Sequence, residues 1–149
     1  MYVNAEEWLK EILSIKSAID NKRTQLKVIQ DEISVTSITY DIDKIKKSPK
    51  HDRLEKHILD NIEKRERLEE KIESEITDML EQQNNAVDFI NLLESRDQQE
   101  VLMLRYIEGR QWHEIMEIRK CDDLSGQYKL HNRAIESLQK LLNVYSMSI

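Results

Sequence analysis

Apolar residues in the first part of the chain fall at alternating steps of four and three: Trp8, Ile12, Ile15, Ile19, Leu26, Ile29 and Ile33. That period, held for about four heptads, predicts a long helix with a coiled-coil seam. The same stripe also suits a helix packed against its own chain. Lys22 takes the one seam position where an apolar residue is due; a polar group there costs stability and can set register or pairing. From Ser34 to Lys50 the pattern lapses. Val35, Thr36, Ile38, Thr39 and Tyr40 have low helix preference, and Pro49 stops a helix arriving from before it. An irregular connector over 34–50 is expected, with a short turn around Asp41 to Lys46. Lys44, Lys46, Lys47 and Lys50 gather in it and read chiefly as a solvated loop.

A second long pattern runs from about His51 to Gln83, carried by Leu54, Ile58, Ile62, Leu68, Ile72, Ile76, Met79 and Leu80. Gln82 to Asn85 reads as a soft break, after which Asn84 or Asn85 caps a new helix bearing Val87, Ile90 and Leu93. Two long helices joined by a loop fold back antiparallel or pair with a second copy. The last third changes character. Three short stripes follow one another: Val101, Leu102, Leu104 and Tyr106; then Trp112, Ile115 and Met116; then Leu130, Ala134, Leu138 and Leu141, with Ile135 and Leu142 beside them. The predicted helices span about 97–108, from about 111, and from about 125. Gly109 stands where a left-handed residue closes the first. Helices this short are marginal alone, so they must bury one another, with Trp112 as the expected centre of their core. The fold predicted is all-α: a helical hairpin or coiled coil over residues 1–95, then a trihelical helix-turn-helix over 96–149.

Composition agrees. Two glycines and one proline in 149 residues leave little material for the tight turns of a sheet-rich fold. The formal charge of −6 is uneven: residues 1–100 hold 16 Lys+Arg against 23 Asp+Glu, residues 101–149 hold 7 against 6. A phosphate backbone is repelled by the first part and tolerated by the second. Cys121, the only cysteine, excludes an intramolecular disulfide and a thiolate-rich metal site. No apolar run approaches the ~20 residues of a membrane span, and Glu6, Glu7 and Glu11 do not suit a signal peptide. A soluble, intracellular protein is the expectation. Enzymatic chemistry is not: His51, His57, His113 and His131 lack ligand-spaced companions, and no phosphate loop or nucleophile motif occurs. No cofactor is expected.

On the third tail helix, Ser125, Gly126, Lys129, Asn132 and Arg133 lie on or near the side opposite Leu130, Ala134 and Leu138. Ser125 and Gly126 begin it, which permits close approach to a phosphate or base edge. Lys129 and Arg133 are one turn apart; arginine can read guanine and asparagine adenine. An ordinary solvated face gives the same pattern.

Leu104-Arg105-Tyr106, Gly109, Trp112, Glu114-Ile115, Tyr128, Leu130-His131 and Arg133-Ala134-Ile135 resemble region 4 of bacterial sigma factors. Over about forty residues they resemble more closely the ArpU-like late-transcription regulators of phages and prophages. Departures are Leu124 in a slot usually held by serine, Gln127 for a branched apolar residue and Met116 for a small one. Asp122 and Asp123 add negative charge at the start of the third helix, where they can cap it. The resemblance implies that the second tail helix braces double-stranded DNA while the third enters the major groove. It places Ser125, Lys129 and Arg133 toward the groove, with Arg110, Gln111 and Lys120 near phosphate. The leading expectation is a phage-encoded transcription regulator that forms a homo-oligomer through residues 1–95. The alternatives are an adaptor that holds RNA polymerase or a sigma factor, and a DNA-packaging adaptor of small-terminase type.

Overall fold

The structure, a computed structural model, describes the backbone of residues 3–43 and 49–147 and the side chains of 3–33 and 52–146. It is all-α. A long pair, α1 (Ala5–Asp43) and α2 (Pro49–Asn91), precedes α3 (Arg96–Leu102), which passes directly into a π-helical turn (Met103–Ile107); α4 (Trp112–Ile118) and α5 (Leu124–Met147) follow. Among the described residues no helix is long and apolar enough to cross a membrane.

Two expectations for the long pair are corrected. The low-propensity run after Ser34 does not end α1, whose backbone stays helical to Asp43. Such residues cost only a few tenths of a kcal/mol each, which an established helix absorbs because propagation adds a hydrogen bond per residue. The connector lysines Lys44, Lys46, Lys47 and the side chain of Lys50 lie outside the described residues. Pro49 opens α2 at a position where its missing N–H has no partner to lose. Nor do Gln82 to Asn85 break α2, which continues to Asn91. Ala86 and Ile90 are fully buried just beyond them, and that burial outweighs the weak helix preference of two asparagines.

The chain divides into two compact units. The arm unit, residues 19–78, is a stretch of both long helices. Its described side chains include three cross-helix polar links. Lys22 pairs with Glu75, Glu32 with Arg65 at 3.4 Å, and Gln30 Nε2 donates to Glu69 Oε1 at 3.0 Å. Lys22, the odd residue of the seam, therefore has an ionic partner, and its ammonium holds the Glu75 carboxyl below the usual carboxylate range. Only Ile19, Ile72 and Ile76 are buried among the described side chains of this unit.

The second unit combines Met1–Ala18 with Met79–Ile149. Its core joins Ala5 and Leu9 of α1, Ile90 and Leu93 at the end of α2, and Val101, Leu102, Leu104, Tyr106, Ile115, Ala134, Leu138 and Leu142 of the tail. Trp112 is not at its centre, contrary to expectation: it is half-buried and packs against the rim. Val101, Leu102, Ile115 and Leu138 occupy the middle, because the tail helices bury aliphatic faces against the ends of α1 and α2 rather than around one ring. The start of α1 is fixed to α5 by a single amide. Gln139 Oε1 accepts from Ala5 N–H at 2.7 Å and its Nε2 donates to Val3 C=O at 2.7 Å. Gln99 Nε2 donates to Leu93 C=O at 2.5 Å, which covers a carbonyl at the end of α2.

Candidate nucleic-acid interface

Local chemistry shapes the helix-turn-helix before any surface is considered. Ser95 caps α3 by accepting from Gln98 N–H at 3.3 Å. Gly109 has φ +69°, and the Arg110 N–H reaches back across it to Leu104 C=O at 2.9 Å, as a left-handed helix closure requires. Glu114 reaches from the first turn of α4 to the Gln111 N–H at 3.3 Å. Between α4 and α5, Lys120 takes φ +54°, and Cys121 N–H closes over it onto Met116 C=O at 2.9 Å.

The turn is held by one cation. Arg119, with only 10% of its side chain exposed, pairs with Asp97 at 3.2 Å and Glu100 at 3.0 Å. Its Nε also donates to Gln127 Oε1 at 3.0 Å. Gln127 is buried and donates in turn to Cys121 Sγ at 3.1 Å. Arg119 thus ties α3, the turn and α5 together. Gln127 is the acceptor this arrangement needs.

A second polar contact lies deeper. The Tyr106 hydroxyl and His131 Nε2 are 2.6 Å apart, and His131 Nδ1 is 3.2 Å from Asn132 Oδ1. A neutral imidazole satisfies both: Nδ1–H donates to the asparagine and Nε2 accepts from the tyrosine. Burial pushes the His131 pKa down, against the opposing effect of the Asn132 hydrogen bond, and pushes that of Tyr106 up. Trp112 closes this region, edge-on to Tyr128 at 4.8 Å and to His131 at 5.3 Å, with the Arg105 guanidinium 5.3 Å from its ring.

Stability should therefore depend on pH. His131 has a folded pKa below its ordinary 6.5, so as pH falls through 6.5 the unfolded chain takes up its proton first. The folded state then loses stability on acidification and keeps it above 6.5. Glu75 and Glu114, held below 4.5, lose their contributions only under more acidic conditions. The melting temperature should fall between pH 7.5 and 5.5, at about 2–4 °C per kcal/mol lost. His131→Gln should flatten that slope in thermal melts followed by circular dichroism; an unaltered slope would exclude His131 as its source.

The sequence-predicted surface residues divide. Ser125, Lys129, Asn132 and Arg133 are all exposed on α5. Neither Lys129 nor Arg133 makes an ion pair with any described residue. Asn132 is less available than its position suggests, because its carbonyl faces His131 Nδ1. Gly126 is half-buried; a Cβ there would stand 2.7 Å from Asp123 Oδ2, so the carboxylate lies over this turn of α5. Lys120 is exposed at the left-handed turn residue. Arg110 is paired to Glu114 at 3.2 Å and Glu108 at 3.7 Å, and Gln111 begins α4. Both therefore have structural partners already.

Sequence reasoning missed Arg119, Gln127 and the Tyr106–His131 pair. One signal for the first was present: the acidic residues Asp97 and Glu100 share a face of α3, and Arg119 is a cation at the end of the following helix. No protein-family model, curated protein or solved structure matches the chain.

Proposed function

We propose that the protein binds double-stranded DNA through α5 of its helix-turn-helix and acts as a phage-encoded, homo-oligomeric regulator of transcription. The observation that carries this reading is the exposed, unpaired couple Lys129 and Arg133, one turn apart on the last helix of a helix-turn-helix. Arg133 is the candidate for bidentate contact with guanine, and Lys129 for phosphate. Bidentate reading of adenine by Asn132 would have to displace His131 from its carbonyl. With Arg110 paired and Asp122 and Asp123 exposed nearby, one module binds weakly, and joining two raises the effective concentration of the second.

Selection of bound sequences by the purified chain, followed by mobility shifts, tests the reading. Replacing both Lys129 and Arg133 with Ala should weaken binding about 10- to 100-fold. It should also reduce the steepness of the salt dependence by about 0.9 for each phosphate that is no longer neutralised. Undiminished retention on the selected DNA by a variant of normal helicity would remove α5 as the reader.

A second reading, an adaptor that holds RNA polymerase or a sigma factor, draws on different residues. Leu124 and Tyr128 are large apolar side chains left exposed at the start of α5, beside the acidic Asp122 and Asp123. Capture of purified host polymerase, lost on Tyr128→Ala and indifferent to Lys129→Ala, would favour it.

A further inference from the structure

One side chain on the exposed face of α5 is fixed from inside the protein. At about 100° per residue, Asn132 and Arg133 stand on either side of Lys129, opposite the buried stripe of Gln127, His131, Ala134 and Leu138. His131 is only 8% exposed, and both of its ring nitrogens are engaged. Nε2 is 2.6 Å from the Tyr106 hydroxyl, and Nδ1 is 3.2 Å from Asn132 Oδ1. An amide oxygen has no proton to give, so the Nδ1 that faces it carries one. Nε2 of the neutral ring is then bare and accepts from the tyrosine hydroxyl. The tilted Tyr106 ring at 5.7 Å and the edge-on Trp112 ring at 5.3 Å pack against the imidazole and hold its plane.

The consequence reaches the surface. With Oδ1 occupied, Asn132 keeps only Nδ2 for a ligand, and no described residue accepts from it. Asparagine reads adenine with both ends of its amide, one accepting and one donating. Held as it is here, the side chain can only donate. Lys129 and Arg133 carry donors alone as well. Among the major-groove edges, the one that offers two acceptors and no donor is guanine, through N7 and O6.

We propose that Tyr106 and His131 are positioning residues for base recognition: they fix the Asn132 amide as a donor, so that α5 selects guanine at two neighbouring base pairs, one for Arg133 and one for Asn132. Adenine, which an unrestrained asparagine would take, is disfavoured at the second. This preference rests on the DNA reading of α5 and gives that reading its bases.

Two measurements on the full chain test it, and the first contains no DNA. Long-range proton–nitrogen NMR spectra at pH 7.5 should place the His131 proton on Nδ1. A proton on Nε2 would overturn the proposal whatever α5 binds. In the second, selection from random duplexes should enrich guanine at two neighbouring pairs. Asn132→Ala, a change at an exposed position, should erase the preference at one of them and weaken binding about tenfold, leaving the other guanine in place. Tyr106→Phe combined with His131→Leu removes both partners of the buried hydrogen bond and so leaves neither orphaned. Its released Asn132 amide should turn the same position to adenine. Should the double variant fail to fold, the imidazole proton and the Asn132→Ala selection decide. Adenine at the Asn132-dependent position of the unaltered chain, guanine retained there by the folded double variant, or a selection that Asn132→Ala leaves unchanged would each overturn the proposal. A chain that has its proton on Nδ1 yet enriches no sequence would overturn it from the other side, by ending the DNA reading on which it rests.

Discussion

Cutting the chain back to residues 96–149 is expected to leave a peptide with no cooperative thermal transition, although it contains every helix of the helix-turn-helix. Four of the twelve buried members of the tail's core, Ala5, Leu9, Ile90 and Leu93, come from before that cut. Without them Val101, Leu102 and Leu138 face water on one side. A core this small has no surplus, because below roughly 60 residues a domain is already marginal. Within the intact chain, Leu9→Ala is the sharper version of the same test. Leu9 is fully buried, so its truncation removes apolar burial and leaves a cavity, at a cost of about 3 kcal/mol. Urea denaturation should register that loss as a lower midpoint with little change in slope. A fragment that melts cooperatively, or a Leu9→Ala chain of unaltered stability, would mean that the helix-turn-helix closes on itself.

Arg119→Ala should be the next most damaging change, at about 2–3 kcal/mol. Its side chain is 10% exposed, whereas Asp97 is 72% exposed and Glu100 48%. The carboxylates return to water at little cost, so most of the loss comes from Gln127, whose buried carbonyl is left without its donor. Two consequences distinguish this from a surface ion pair. Raising the salt concentration should change the stability of the intact protein little, since screening acts mainly on exposed charges. Adding Gln127→Leu to the Arg119→Ala chain should recover part of the loss, because the orphaned polar group is then gone. Independent, additive losses in that double-mutant cycle would show that the two side chains do not act together.

Much of this architecture could be read from spacing. The three short stripes, the left-handed Gly109 and the inward Val101, Leu104, Ala134 and Leu138 all occupy their predicted places, because each follows from local geometry alone. The inner face of α5 was displaced by a subtler effect. Its buried stripe is Gln127, His131, Ala134, Leu138 and Leu142, and a pattern read by hydropathy cannot place a glutamine and a histidine inside. They are admitted because Arg119 and Tyr106 satisfy them, and those partners are distant in sequence. The same limit hid the contribution of Ala5 and Leu9 to the tail's core. Asn84 and Asn85 misled for a related reason: their local preference to end a helix is real but smaller than the burial of Ala86 and Ile90 beside them. For the candidate interface, Ser125, Lys129 and Arg133 were legible as an outer face. That Arg110 is neutralised by Glu108 and Glu114 was not.

The π-helical turn at Met103–Ile107, where Glu108 N–H reaches five residues back to Met103 C=O at 3.0 Å, carries one residue more than a regular helix needs for the same advance. That supernumerary residue resets the angular phase of everything after it by about 100°. Removing one residue there would leave a smoother rod, yet swing the Tyr106 hydroxyl away from the imidazole it meets. Any superposition of this segment on a trihelical domain with an unbroken first helix must therefore open a one-residue gap between Leu102 and Gly109. A gapless match would put the wrong side chains in correspondence from that point to the glycine.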